Sequence, residues 1–171
     1  LIQDLATGMQ GNISRWLKKI MDLLFILLND SNISIDVKII TIVAIGDICL
    51  MTENDFHPYF EQAMDLLIQA GQQSIQPINP HLPPEEQQCF HELRQAIVDS
   101  FVSIINGIKS PQTENQPIGD LASQNISNMF FYIESLMGLG DLKITIDLAK
   151  QILDLYSDIL LLQQNDNSRN T

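Results

Sequence analysis

KIITIVAIGDICLMTENDFHPYFEQAMDLLIQA, residues 38–70, is the stretch whose pattern decides the fold. Its first half, Lys38 to Met51, is apolar nearly all the way round at helical spacing, with no strand-like alternation of polar and apolar residues. A helix of that kind has to be packed on several sides instead of lying on a surface. Gly46 sits inside it, where glycine costs about 1 kcal/mol relative to alanine, so the close approach of a neighbouring helix is the expected compensation. Thr52-Glu53-Asn54 is a short link. The next helix is predicted from near Asp55, with Pro58 in its first turn, where a missing N–H is tolerated. Its apolar stripe is Phe56, Tyr59, Phe60, Ala63, Leu67 and Ala70, and Gly71 reads as its terminator. Glu61, Asp65 and Gln69 recur every four residues on another face, a polar, acidic ridge.

Helical periodicity continues in both directions. Upstream, Ile13, Trp16, Leu17, Ile20, Leu24, Leu27 and Leu28 form the stripe of a helix from about Asn12 to Leu28. Asn29-Asp30-Ser31-Asn32 breaks it with short polar side chains that compete for backbone hydrogen bonds. Ser34 is then a good N-cap for the helix through Lys38–Met51, with Asp36 in its first turn. Downstream, residues 72–84 (QQSIQPINPHLPP) hold four prolines and read as an extended loop. Pro83-Pro84-Glu85-Glu86 opens a fourth helix that buries Phe90, Leu93, Ile97, Phe101, Ile104, Ile105 and Ile108. A fifth, Ile118 to Met137, uses Leu121, Ile126, Met129, Phe130, Ile133 and Met137. A sixth, from Leu142 to about Leu162, uses Ile146, Ala149, Ile152, Leu153, Tyr156 and Leu160. Helices two, four and six start near residues 34, 85 and 142, a period of about 50, slightly longer than the roughly 40–47 residues of a HEAT unit. The expected fold is all-α, an α-solenoid of HEAT repeats built from antiparallel helix pairs, about three repeats in all. The wide apolar arc of the second helix fits, because a solenoid helix touches its hairpin partner and the neighbouring repeats at once.

Composition narrows the function classes. The 171 residues are 45% hydrophobic and 18% charged, enough to bury a core. Nine Lys plus Arg against 21 Asp plus Glu give a net charge of −12, which argues against a nucleic-acid surface and for a basic partner. Cys49 and Cys89 are too isolated for a disulfide framework and suit a reducing compartment. The most apolar run, residues 20–28 (IMDLLFILL), contains Asp22 and is too short to span a bilayer, so no membrane span is expected. With neither a secretory leader nor an initiating Met, the chain reads as a soluble, intracellular segment of a longer polypeptide. His57, His81, His91 and Cys89 match no zinc-ligand spacing, and Asn-Ile-Ser at residues 12, 32 and 125 reads as caps and polar surface instead of glycosylation sites. No G-x-G-x-x-G, P-loop, G-x-S-x-G or H-E-x-x-H element is present, so neither enzymatic activity nor a cofactor is expected.

Two blocks carry a family resemblance: residues 38–70, and HELRQAIVDSFVSIINGIKS, residues 91–110. The first resembles an outer helix ending in a GDI element, a short acidic link with an aromatic, then an inner helix; the second is similar to a long helix with an ELR start and a G-[IL]-K end. Together, in order and spacing, they resemble the late HEAT repeats of importin-β in the karyopherin-β family, over residues 12 to 162. The resemblance implies a nuclear import receptor, shuttling between cytoplasm and nucleus through the pore of the nuclear envelope. It would bind a basic importin-α-type adaptor segment or basic cargo on its concave face, engage Phe-Gly nucleoporins, and be released by Ran-GTP, mainly through repeats absent here. It places helices one, three and five inside and two, four and six outside. Residues 1–33 then hold the inner helix of a truncated repeat, 34–84 a repeat with its proline-rich loop, 85–141 a further repeat, and 142–171 an outer helix with a frayed polar tail. The family's adaptor-holding tryptophans are not evident: the only Trp, Trp16, lies on a core stripe.

The charge pattern supports the same surface independently. Between Lys38 and Arg94 there is no Lys or Arg, yet Asp47, Glu53, Asp55, Glu61, Asp65, Glu85, Glu86 and Glu92 all fall there. Glu61 and Asp65, at i, i+4 on the inner helix, are the candidate contacts for a basic segment, with Glu134 on the fifth helix as an addition. For any single one of these residues an ordinary solvated face is the competing explanation. Phe101 and Ile104 are candidates for a groove taking nucleoporin Phe side chains, against core packing, which their place on the main stripe favours. The alternative functions are a HEAT scaffold outside nuclear transport, of adaptor-complex or phosphatase-scaffold type, and a compact helical-bundle enzyme, for which no polar pocket is evident.

Overall fold

The computed structural model describes residues 13–76, 78–108 and 118–139, together with positions 150, 153, 154 and 157. Five helices carry the described chain: α1 Ile13–Asn29, α2 Ile35–Thr52, α3 Phe60–Ser74, α4 Pro84–Ile108 and α5 Ile118–Gly138. A 3-10 segment, Glu53–Tyr59, joins α2 to α3, and no strand occurs among the described residues.

The polar break after α1 works through the side chains that the sequence singles out. Asn29 Nδ2 donates to the Phe25 carbonyl at 3.0 Å, and Asp30 Oδ1 accepts from both the backbone N–H and the Nδ2 of Asn32, at 2.8 and 3.0 Å. These bonds replace the next helical turn and reverse the chain into α2. Ser34 holds the N-cap position in extended conformation, although its hydroxyl makes no cap hydrogen bond. At the other end of α2, Glu53 takes φ 45°, a left-handed value rare for a non-glycine residue, and its N–H donates to the Cys49 carbonyl. The α-helix expected from Asp55 starts later, at Phe60. Pro58 lies within the intervening 3-10 segment, where it lacks an N–H and disfavours α geometry at His57.

The helices form two rows. Among the described residues the most extensive packing is between α2 and α4. Along it, Cys89 Sγ meets Asp36 Oδ1 (3.4 Å), Ser100 Oγ donates to the Ile42 carbonyl (2.8 Å), and Cys49 Sγ meets the Ile104 carbonyl (3.8 Å). Residue numbers rise together on both helices, so α2 and α4 run parallel. Sequence separations across the pair are 53, 58 and 55, and Ser74 of α3 meets Tyr132 of α5 at a separation of 58. One offset thus recurs in both rows, the arrangement of a helix pair stacked on its successor. α1 and α3 also touch, extending the second row to α1, α3 and α5.

Two notches let the α2 and α4 backbones approach. A Cβ on Gly46 would lie 3.0 Å from Ser100 Cα and 3.1 Å from Ser103 Cβ, and one on Gly107 would lie 2.9 Å from the Cys49 carbonyl oxygen. The close approach expected at Gly46 is therefore present, and α4 returns it at Gly107. Gly71 differs from expectation: it does not end α3, which continues to Ser74, but faces the Tyr132 ring, 3.0 Å from where a Cβ would sit.

The core joins Leu17, Met21, Phe25 and Leu28 of α1 to Ile42, Ile45 and Ile48 of α2, Phe60, Met64 and Leu67 of α3, Ile97, Phe101 and Ile104 of α4, and Met129, Tyr132 and Leu136 of α5. Trp16 corrects its assignment to the core: it is 44% exposed, with Lys19 Nζ 5.0 Å from the ring centroid. The buried row of α1 is rotated toward Met21 and Phe25, which leaves Trp16 on the opposite side of the helix. Met137 and Leu153 are likewise exposed, whereas Tyr132 and Leu136 supply the core positions on α5. The side chains of Leu121 and Ile126, and most of the sixth predicted helix, lie outside the described residues. Among the described residues no helix is long and apolar enough to cross a membrane.

Candidate functional site

On α3, Phe60, Ala63, Met64, Leu67 and Gly71 face the core, which turns Glu61 and Asp65 to solvent on the opposite side, in line with Gln72. On α5, in the same row, Glu134 is exposed beside Phe131, an outward-facing aromatic off the apolar stripe of that helix. From Ile39 to Leu93 the sequence contains no cation, and the Arg that ends this interval, Arg94, is 1% exposed. The acidic ridge therefore stands on a surface where α3 presents no Lys or Arg beside it.

Arg94 is the residue that sequence reading missed most plainly. Its Nε donates to the Ser74 carbonyl at 2.8 Å and its Nη2 to the Gln76 carbonyl at 2.9 Å. Those carbonyls lie at and just past the C-terminal end of α3, where helical acceptors lack internal partners and a positive charge complements the helix dipole. Beside it, Ser74 Oγ donates to the Gly71 carbonyl at 2.8 Å, so the 3.0 Å contact between Ser74 and Tyr132 has the phenol as donor. Tyr132 also meets Phe101 edge-on, with ring centroids 6.0 Å apart. This buried junction fixes α3, α4 and α5 against one another, and hence the relative placement of Glu61, Asp65 and Glu134. The signal was a lone cation in an otherwise acidic interval.

Burial pushes the Tyr132 phenol above its ordinary value of 10.0, with the Arg94 charge pulling the other way. Burial alone pushes the Cys49 thiol from 9.0 up to about 12. In both cases folding favours the neutral form, so the stabilising contribution is complete below the unfolded-state value and is lost as pH rises toward the folded one. Stability is therefore expected to fall as pH climbs above about 9. Tyr132→Phe should remove the phenol's share of that alkaline loss, and at neutral pH lower stability by about 1 kcal/mol for the missing hydrogen bond. Denaturant unfolding of both proteins across this pH range reads both effects.

Phe101 and Ile104, the candidate groove residues, are both fully buried and pack in the core, so neither lines an open groove on this surface. Cys89 is held by its contact with Asp36, which, with burial and the charges of Asp36 and Glu92, pushes its thiol up. Among the described residues no three His, Cys, Asp or Glu side chains gather to hold a metal ion.

The chain matches the family described as importin subunit beta-1-like, TPR repeats, over residues 1–169. No solved structure matches it. The family's description names TPR units where the sequence suggests HEAT units; the offsets of 53 to 58 seen here exceed both the 34 or so residues of a TPR and the roughly 40–47 of a HEAT repeat. What the two share is the antiparallel helix pair stacked on its neighbours, the architecture observed. With nearly the whole sequence matched, the chain belongs to the importin subunit beta-1-like family, a family of nuclear transport receptors built from helical repeats.

Proposed function

We propose that this segment binds a basic segment of an importin-α-type adaptor or cargo along the exposed side of α3 and α5, through Glu61, Asp65 and Glu134. The observation that carries the reading is the pairing of an exposed acidic ridge with the withdrawal of Arg94 into the core, which leaves α3 without a neutralising cation. Like charges at i, i+4 slightly destabilise α3, and a Lys or Arg from a partner relieves that while making charge-assisted hydrogen bonds. Phe131 adds an aromatic face on which such a cation can stack. On this reading α1, α3 and α5 line the concave side, and the repeat boundaries fall near residues 33, 84 and 141. Phe-Gly nucleoporins would use exposed side chains of the other row, such as Val43 and Leu50 of α2, in place of Phe101 and Ile104. Ran-GTP would act mainly through other repeats, and the chain would move between cytoplasm and nucleus through the pore.

Glu61→Lys combined with Asp65→Lys is expected to weaken binding of a labelled basic adaptor peptide about tenfold at low salt, with helicity and unfolding midpoint nearly unchanged. Fluorescence anisotropy against the parent protein gives the comparison. Equal affinity would remove α3 from the binding surface.

A further inference from the structure

A second site lies where the end of α1, the first half of α2, the second half of α3 and Leu93 of α4 meet. They line a partly open cavity of about 240 Å³. Its floor is apolar, formed by the buried Leu28, Ile42 and Leu66, and Lys38, Gln69 and Gln73 stand in its wall. Lys38 is the only cation between Lys19 and Arg94. Among the described residues, the side chains of Lys38, Gln69 and Gln73 make no hydrogen bond or ion pair. Lys38 is a half-buried residue beside an apolar floor and has no carboxylate partner among the described residues, so its ammonium is open to an anion. Gln69 and Gln73 are four residues apart on α3 and so share a face, each with a carboxamide that both donates and accepts.

We infer that this cavity receives a short peptide segment of a partner protein in which a Leu-sized apolar side chain is followed by Asp or Glu. The apolar side chain fills the floor, the carboxylate pairs with Lys38, and the two glutamines pair with the peptide backbone. Size supports this occupant: about 240 Å³ falls below the roughly 300–1,000 Å³ of small-molecule and cofactor pockets but holds one side chain with its flanking groups. Charge selects it further. The net charge of −12 opposes acidic ligands in general and polyanions such as RNA most strongly, so the attraction of Lys38 for a single carboxylate is a local one. The site takes an acidic segment, whereas the ridge on α3 and α5 takes a basic one, and the two are tested separately.

The test is anisotropy with three labelled octapeptides that differ only at a central pair, Leu-Asp, Leu-Asn or Ser-Asp. Saturable binding of the Leu-Asp peptide is expected, with each control at least about fivefold weaker, because one loses the charge and the other the apolar anchor. Lys38→Glu should weaken the Leu-Asp peptide about tenfold or more, while Lys38→Arg stays close to the parent. Ala70→Phe, which fills the cavity from α3, should abolish binding; circular dichroism checks its fold, and if it unfolds the Lys38 pair decides alone. Glu61→Lys with Asp65→Lys should leave this binding intact. Equal affinity for the three peptides, no binding of the Leu-Asp peptide, or indifference to Lys38→Glu would overturn the assignment.

Discussion

Arg94→Ala is expected to destabilise the segment by about 2–4 kcal/mol, the largest effect of any single side-chain truncation considered. The side chain is 1% exposed and its guanidinium holds the Ser74 and Gln76 carbonyls at 2.8 and 2.9 Å. Alanine leaves the buried Ser74 acceptor without its partner and removes the positive charge from the C-terminal end of α3. It also empties volume at the junction of three helices, where the lining cannot fully collapse. Arg94→Lys should recover only part of the loss, because an ammonium is a point donor and cannot span two carbonyls as the planar fork does. Urea unfolding followed by circular dichroism measures both; a loss below about 1 kcal/mol for Arg94→Ala would mean that the junction does not hold α3 to α4.

Gly107→Ala is the second large effect. A Cβ there would stand 2.9 Å from both the carbonyl oxygen and the Sγ of Cys49, and 3.0 Å from the Cys49 carbonyl carbon. In an isolated helix the same change would gain about 1 kcal/mol of propensity, so the sign of the result separates the two influences. Backbone on the far side cannot yield without moving α2, and overpacking of that kind costs about 1–3 kcal/mol, which should outweigh the gain. Gly46→Ala works on the same pair of helices from the other side, 3.0 Å from Ser100 Cα, so combining the two should depart from additivity. Cys49→Ala in the Gly107→Ala background should restore part of the loss, since it removes Sγ but leaves the carbonyl. A stabilised Gly107→Ala would show that α2 and α4 do not pack at this distance.

Much of this arrangement was legible in the chain. The all-round apolar character of residues 38–51 demanded burial on several sides; α2 packs against α1 and α4, with the Gly46 notch where the sequence puts a glycine of otherwise unfavourable propensity, but Ile40, Val43 and Leu50 stay exposed on its outer face. The exposure of Glu61 and Asp65 followed from the period of α3 alone. Gly71 misled because a glycine near a helix end has two uses, terminating a turn or admitting a neighbour, and only the position of Tyr132 distinguishes them. Trp16 misled because α1 has apolar residues on more than one face, so the stripe could be drawn through Trp16 or through Met21 and Phe25. Arg94 and the cavity beside Lys38 depend on helices brought together across separations of tens of residues, and no local pattern encodes those meetings.

The central claim, that an acidic face of a transport-receptor repeat segment binds a basic partner, is tested most directly by titrating the chain with a labelled importin-α-type basic peptide at low and high salt, beside a control peptide with its Lys and Arg replaced by Gln. The account predicts saturable binding of the basic peptide that weakens as salt rises, and none of the control. Failure of the basic peptide to bind at low salt, or equal binding of both peptides, would contradict it.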